Sequence, residues 1–86
     1  MYYVYILYSK KLRCRYIGFS TNLRQRVIEH NSGKCVSTSK GIPWKLIYYQ
    51  CFLSEIDARA EEKFLKTGKG RERMKILLAN TIGRVA

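Results

Sequence analysis

Apolar and polar positions change period several times along this chain, and each change marks an element. Tyr2-Tyr3-Val4-Tyr5-Ile6-Leu7-Tyr8 is an unbroken aromatic and partly β-branched run, which predicts a strand. Cys14 to Phe19 reads as a second strand, and the short Ser9–Arg13 connection makes the two an antiparallel hairpin. A pairing of Tyr8 with Arg13 would set Tyr5 opposite Tyr16 on one face. Ser20, Thr21 and Asn22 are N-cap candidates for a helix that runs to about Asn31, where Ser32-Gly33 stops it. Gly33 to Pro43 is a polar, basic loop, and Lys45 to Phe52 is a third strand. Ser54 to Asp57 matches a capping box, with Asp in place of the usual Glu, and opens a second helix to about Thr67. Gly68-Lys69-Gly70 is expected to break that helix, with a short third one over Arg71–Ala79. The order β-β-α-β-α-α predicts an α+β domain, a small three-stranded antiparallel sheet flanked by helices. It should occupy residues 1–80, with a frayed tail over 81–86.

Charge adds a partner to this picture. The 86 residues carry 17 Lys and Arg against 6 Asp and Glu, a formal net charge of +11. Such an excess raises the local concentration of polyanions, nucleic acid above all. The charge is interleaved with seven Tyr rather than blocked, the pattern of a folded basic surface and not of a disordered tail. Cys14, Cys35 and Cys51 are odd in number, widely spaced and free of any C-x-x-C, so neither a disulfide framework nor a zinc site is supported. Cys14 and Cys51 read as small core residues and Cys35 as a loop thiol. The run Tyr2 to Tyr8 is too short for a membrane span and lacks a signal-peptide cleavage pattern. A reducing cytoplasm is the expected setting, with no membrane partner.

The chemistry concentrates around the first helix. Arg26 and His30 are four apart and share a face with Leu23 and Val27, and Tyr16 lies just upstream on the incoming strand. A guanidinium, an imidazole and a phenol gathered by one strand–helix unit suit phosphate chemistry. An amphipathic helix whose polar boundary happens to be Arg and His would look the same. Other motifs fail: Gly68-Lys69-Gly70 lacks phosphate-loop spacing, no dinucleotide fingerprint follows a strand, and one His cannot build a two-His metal site. Carboxylates could hold a hard cation, and Glu55, Asp57, Glu61 and Glu62 of the second helix are the candidates. Periodicity does not choose between Glu61 and Glu62.

Taken together these pieces resemble the GIY-YIG nuclease superfamily, in particular its small stand-alone bacterial-type members, and are similar to the nuclease module at the front of the excinuclease. Val4-Tyr5-Ile6 stands where the first triplet belongs, and Tyr16-Ile17-Gly18 is the second triplet intact. Asn22-Leu23-x-x-Arg26 with Glu29-His30-Asn31-Ser32-Gly33 is similar to the family's helix, and Trp44 to Tyr49 to its third strand. Ala58-x-x-x-Glu62-Lys63-x-Leu65-Lys66 is similar to the helix carrying the metal carboxylate. Lys66-Thr67-Gly68-Lys69-Gly70-Arg71-Glu72 marks the small stand-alone group. The resemblance covers residues 2–75.

The resemblance implies a metal-dependent DNA phosphodiesterase, an endonuclease of low sequence specificity linked to DNA repair or processing. It implies that Glu62 binds one divalent cation, Mg²⁺ by its hard oxygen chemistry. Tyr16 would activate or position the attacking water with Tyr5 beside it, Arg26 would neutralise transition-state charge, and His30 would assist proton transfer. The Lys66, Lys69, Arg71 and Arg73 cluster would bind nucleic acid, DNA first, with RNA left open. Tyr5, Tyr16, Arg26, His30 and Glu62 should therefore converge on one concave, electropositive face. The first triplet lacks its Gly, Gln25 stands where a further Arg is common, Glu61 replaces a frequent Arg, and Met74 aligns with an Asn of the excinuclease module. These departures leave a catalytically weak or inactive nucleic-acid-binding module as the alternative, and an interaction domain for an acidic partner as a third reading.

Overall fold

A sheet of strand order β2-β1-β3 organises the chain, and the computed structural model that shows it describes residues 1–81. β1 (Tyr2–Ser9) pairs antiparallel with β2 (Cys14–Ser20) on one side and with β3 (Trp44–Phe52) on the other. The central position explains why β1 is apolar at successive residues. Val4 and Ile6 point to one face, Tyr5 and Leu7 to the other, and all four are fully buried. The expected α+β architecture with its three-stranded antiparallel sheet is the observed one.

Each face is covered by different elements. Helices α2 (Glu55–Leu65) and α3 (Gly68–Leu77) lie on the Val4/Ile6 face, where Ala58, Leu65, Met74 and Leu78 meet Ile17, Phe19 and Ile47. Helix α1 (Leu23–Asn31) and a 3-10 turn (Val36–Gly41) lie on the other, where Leu23 and Val27 meet Tyr5, Leu7, Tyr16 and Trp44. Helices α1, α2 and α3 each start on a side-chain cap. Asn22, Ser54 and Thr67 accept from the backbone N–H of Gln25, Asp57 and Gly70. Gly33, at φ +84, turns the chain just after α1 in the left-handed conformation that glycine adopts without strain. Among the described residues no helix is long and apolar enough to cross a membrane.

Four expectations are corrected. The hairpin closes on Ser9 and Cys14, with Arg13 in the turn at φ 53, so Tyr5 faces Gly18 and Tyr16 faces Leu7. The two-residue shift keeps Tyr5 and Tyr16 on one face as diagonal neighbours. It is fixed by space: a Cβ at position 18 would overlap the Tyr5 phenol, so the ring lies where only glycine leaves room. Gly68 to Gly70 does not form a break but the first turn of α3, because Thr67 caps it and bare Gly70 sits against the Phe64 carbonyl. Cys14 and Cys51 are exposed rather than core, since both point to the α1 face beyond the reach of that nine-residue helix. The basic loop contains the 3-10 turn, whose Thr38 and Gly41 are buried. The tail expected over 81–86 lies, after Thr81, outside the described residues.

Candidate active site

The α1 layer assembles a hydrogen-bonded polar cluster inside an apolar shell. The Tyr5 hydroxyl and His30 Nε2 are 2.7 Å apart, and His30 Nδ1 is 2.9 Å from Thr38 Oγ1. Tyr5 and His30 are 0% exposed and Thr38 1%, so water does not reach these bonds. The shell is tied down by its own polar contacts. Trp44 Nε1 donates to the Thr38 carbonyl at 2.6 Å, and Asn31 both accepts from the Trp44 N–H at 2.6 Å and donates to the Trp44 carbonyl at 3.0 Å. Ser9 Oγ donates to the Gly41 carbonyl at 2.7 Å, which anchors the end of the 3-10 turn on β1.

Electrostatics follow from this burial. Burial pushes the Tyr5 phenol up to about 12, with the neighbouring Arg26 guanidinium acting the other way. Burial, then the Arg26 charge, holds His30 below its ordinary value, so the imidazole is neutral at pH 7. Arg26 is itself held more firmly charged by a hydrogen bond to Glu29 at 3.1 Å and by the Tyr5 hydroxyl. Its side chain is 35% exposed, so it is the member of the cluster that reaches solvent as a cation. Tyr16 is half-buried, its ring edge-on to His30 at 4.9 Å and to Trp44 at 6.2 Å.

The α2–α3 layer carries a basic groove. A cavity of about 610 Å³ is lined by Arg13, Arg15, Tyr16, Lys66 and Arg71, with Ile6, Leu65 and Met74 as its apolar floor. Cations of the hairpin thus face cations of the α2–α3 corner across one trough. Glu62 lies on α2, where its oxygens face Arg59 at 3.7 Å and Lys66 at 3.2 Å and its side chain is 17% exposed. Arg59 in turn covers the Phe19 ring at 3.7 Å. Glu61 points elsewhere, toward Tyr48 and to 3.9 Å from Arg73.

Among the residues singled out from sequence, Tyr5, Tyr16, Arg26 and His30 are gathered together. Glu62 is not gathered with them: it belongs to the layer on the opposite face of the sheet, so the single concave face is corrected to two faces. Only Tyr16, on the edge strand β2, touches the cluster and also lines the groove. Tyr5 and His30 lie away from the open surface: both are sealed from solvent, with their polar atoms hydrogen-bonded to each other and to Thr38. Lys66 and Arg71 line the groove, whereas Lys69 and Arg73 are exposed on α3 outside its lining. Arg13, Arg15 and Thr38 went unassigned. For the two arginines the signal was their place at the hairpin end, opposite the Lys66–Arg71 corner in the fold.

Among the described residues no three His, Cys, Asp or Glu side chains cluster into a metal cage. A hydrated Mg²⁺ needs no such cage, since one carboxylate with water and phosphate completes its shell. The Glu62 carboxylate, 17% exposed beside the groove residue Lys66, fits that donor set.

The GIY-YIG catalytic domain model matches residues 1–76, and the chain belongs to that family, whose domain is of nuclease type. Among its relatives are the UPF0213 proteins. One, encoded in the ldhD 5′ region of Pediococcus acidilactici, is 36% identical over 84 residues, 94% of this chain and 85% of its own. A UPF0213 protein of Streptococcus pneumoniae serotype 4 is 38% identical over 78 residues, 85% of this chain and 79% of its own. The solution NMR structure of a UPF0213 protein from Bacillus halodurans superposes with a TM-score of 0.56 at 31% identity, covering 90% of this chain and 85% of that one.

Proposed function

We propose that the chain is a divalent-metal-dependent DNA phosphodiesterase, an endonuclease of low sequence specificity. The observation that carries this is the position of Tyr16, shared by the polar cluster and the basic groove. A strand whose phosphates follow Arg13, Arg15, Lys66 and Arg71 passes Tyr16 at the β2 edge. Tyr16 then orients the attacking water, and Arg26 offsets the charge that grows on the phosphate. Tyr5 and His30 act behind them as positioning residues. Glu62 would hold Mg²⁺, which when bound supplies neutralisation of a phosphate oxygen and of the leaving oxygen. Contacts of this kind go to the backbone and carry little base information, which supports low sequence specificity. The three free thiols suit a reducing cytoplasm.

The test is cleavage of supercoiled, single-stranded and branched DNA, and of RNA, by the pure protein with and without Mg²⁺. Mg²⁺-dependent cleavage that Glu62→Gln removes and Glu61→Gln spares is expected. Equal rates for Glu62→Gln and the parent at saturating Mg²⁺ would sink the metal assignment. One observation favours a binding module without catalysis: Glu62 is already ion-paired on both oxygens and sits across the sheet from Arg26. Salt-dependent DNA binding with no cleavage of any substrate would select that reading.

A further inference from the structure

We infer that Thr38, in the 3-10 turn, is a positioning residue that fixes the tautomer of His30 and, through Tyr5, the pose of the Arg26 guanidinium. Hydrogen-bond bookkeeping along the cluster leads to one arrangement. At the inner end the Thr38 hydroxyl has a single proton, and the Cys35 carbonyl lies 3.4 Å away as its acceptor. With that proton spent, Thr38 Oγ1 can only accept from His30, so Nδ1 carries the hydrogen. At the outer end the Tyr5 hydroxyl also has a single proton, and its hydrogen-bond partner is His30 Nε2. The Tyr5 proton therefore turns inward, to a bare Nε2. Nδ1 protonated and Nε2 accepting is the tautomer in which the Tyr5, His30 and Thr38 protons all have partners.

The result is a chain of donors with one direction. Tyr5 donates to His30, His30 to Thr38 and Thr38 to the Cys35 carbonyl, with the Arg26 guanidinium beside the Tyr5 phenol. Reversing the inner links leaves the buried Tyr5 hydroxyl proton without an acceptor. Thr38 is held for this task from both sides, since Trp44 Nε1 bonds its carbonyl and Ser9 bonds the end of its turn. The tautomer assignment stands on geometry alone. The consequence for Arg26 rests on the nuclease reading.

The chain has one histidine, so the imidazole ¹⁵N resonances of labelled protein report His30 without ambiguity. The parent should show a protonated Nδ1 and an unprotonated Nε2 above pH 7. Thr38→Val keeps the shape and deletes the acceptor. It should shift the population toward the Nε2–H form, while Thr38→Ser restores the parent spectrum. Cleavage assays alongside should show kcat down about tenfold for Thr38→Val with KM little changed, and recovery in Thr38→Ser. An Nε2–H parent, or a Thr38→Val spectrum identical to the parent, would overturn the inference. If Thr38→Val does not fold, the parent tautomer and the Thr38→Ser spectrum decide the matter. Absence of all cleavage with the expected tautomer shift removes the nuclease reading and leaves the Thr38 assignment supported.

Discussion

The two faces of the sheet solve opposite problems. The α1 face buries polar groups and must satisfy each of them, which it does with a hydroxyl, an imidazole and a second hydroxyl in mutual contact. The α2–α3 face buries mainly aliphatic and aromatic groups, with Gln50 Oε1 the polar atom buried there, and carries Lys66 and Arg71 at the rim opposite Arg13 and Arg15. Buried, satisfied polar groups give a rigid and specific geometry. Rim charges give attraction without fixed geometry. On the proposed function, positioning of chemistry belongs to one face and retention of the polyanion to the other, with Tyr16 where they join.

The sharpest way to break this division is at Arg26. Arg26→Ala should lower kcat by about a hundredfold while DNA affinity falls only a few-fold, because its charge acts as the transition state develops. Equal losses in rate and affinity, measured by single-turnover cleavage and by titration, would make Arg26 part of the binding face instead.

Stability separates the faces next. Gly70→Ala places a Cβ within 2.7 Å of Leu65 Cα and against the Phe64 carbonyl, and neither backbone atom can yield. A loss of about 1–3 kcal/mol is expected from urea unfolding. Gly68→Ala meets nothing within 4 Å and should instead gain up to about 1 kcal/mol. A similar cost at both positions would show that the α2–α3 corner is not close-packed as described.

Acid should act through the α1 face. The neutral, buried His30 binds its proton less readily than in the unfolded chain. Its contribution to stability is therefore complete above the unfolded value of about 6.5 and is lost as the pH falls below it. Urea midpoints measured between pH 8 and 5 should fall more steeply for the parent than for His30→Gln. Parallel curves would mean that the imidazole is not confined.

Smaller effects belong to the rim. Replacing Arg13 and Arg15 by Gln should flatten the dependence of log affinity on log salt by roughly one unit for each phosphate the side chains no longer reach, with little change in folding. An unchanged slope would move the polyanion to the exposed Lys69 and Arg73. Cys14→Ser and Cys51→Ser, at exposed positions, should change stability by no more than about 0.5 kcal/mol.

Much of this division was written in local pattern, and the remainder was not. The strands and helix caps were legible because Val4-Tyr5-Ile6-Leu7, Asn22 and Ser54 state their preferences within a few residues. Arg26 and His30 were legible as neighbours because helix spacing fixes them. The layer of each helix was not, since nothing local says which face of β1 receives α1 and which receives α2. For that reason Glu62 was expected beside Tyr16. The hairpin register depended on Gly18 making room for Tyr5, a contact between strands that composition does not reveal. Cys14 and Cys51 sit in apolar runs but at places the helices do not cover. Thr38 looked like one polar residue in a basic loop until the fold set it against the imidazole.

The middle position of β1 also has a meaning during synthesis. Tyr2–Ser9 emerges before β2 and β3, yet its second hydrogen-bonding edge is satisfied by Trp44–Phe52. Until that segment leaves the ribosome, the nascent chain has at most a hairpin, with one open β edge and the apolar Val4, Ile6 and Leu7 uncovered. Folding is therefore delayed to the arrival of β3. Nascent chains truncated before Trp44 should be protease-sensitive and bound by hydrophobic-segment chaperones, and chains that include α2 should be neither.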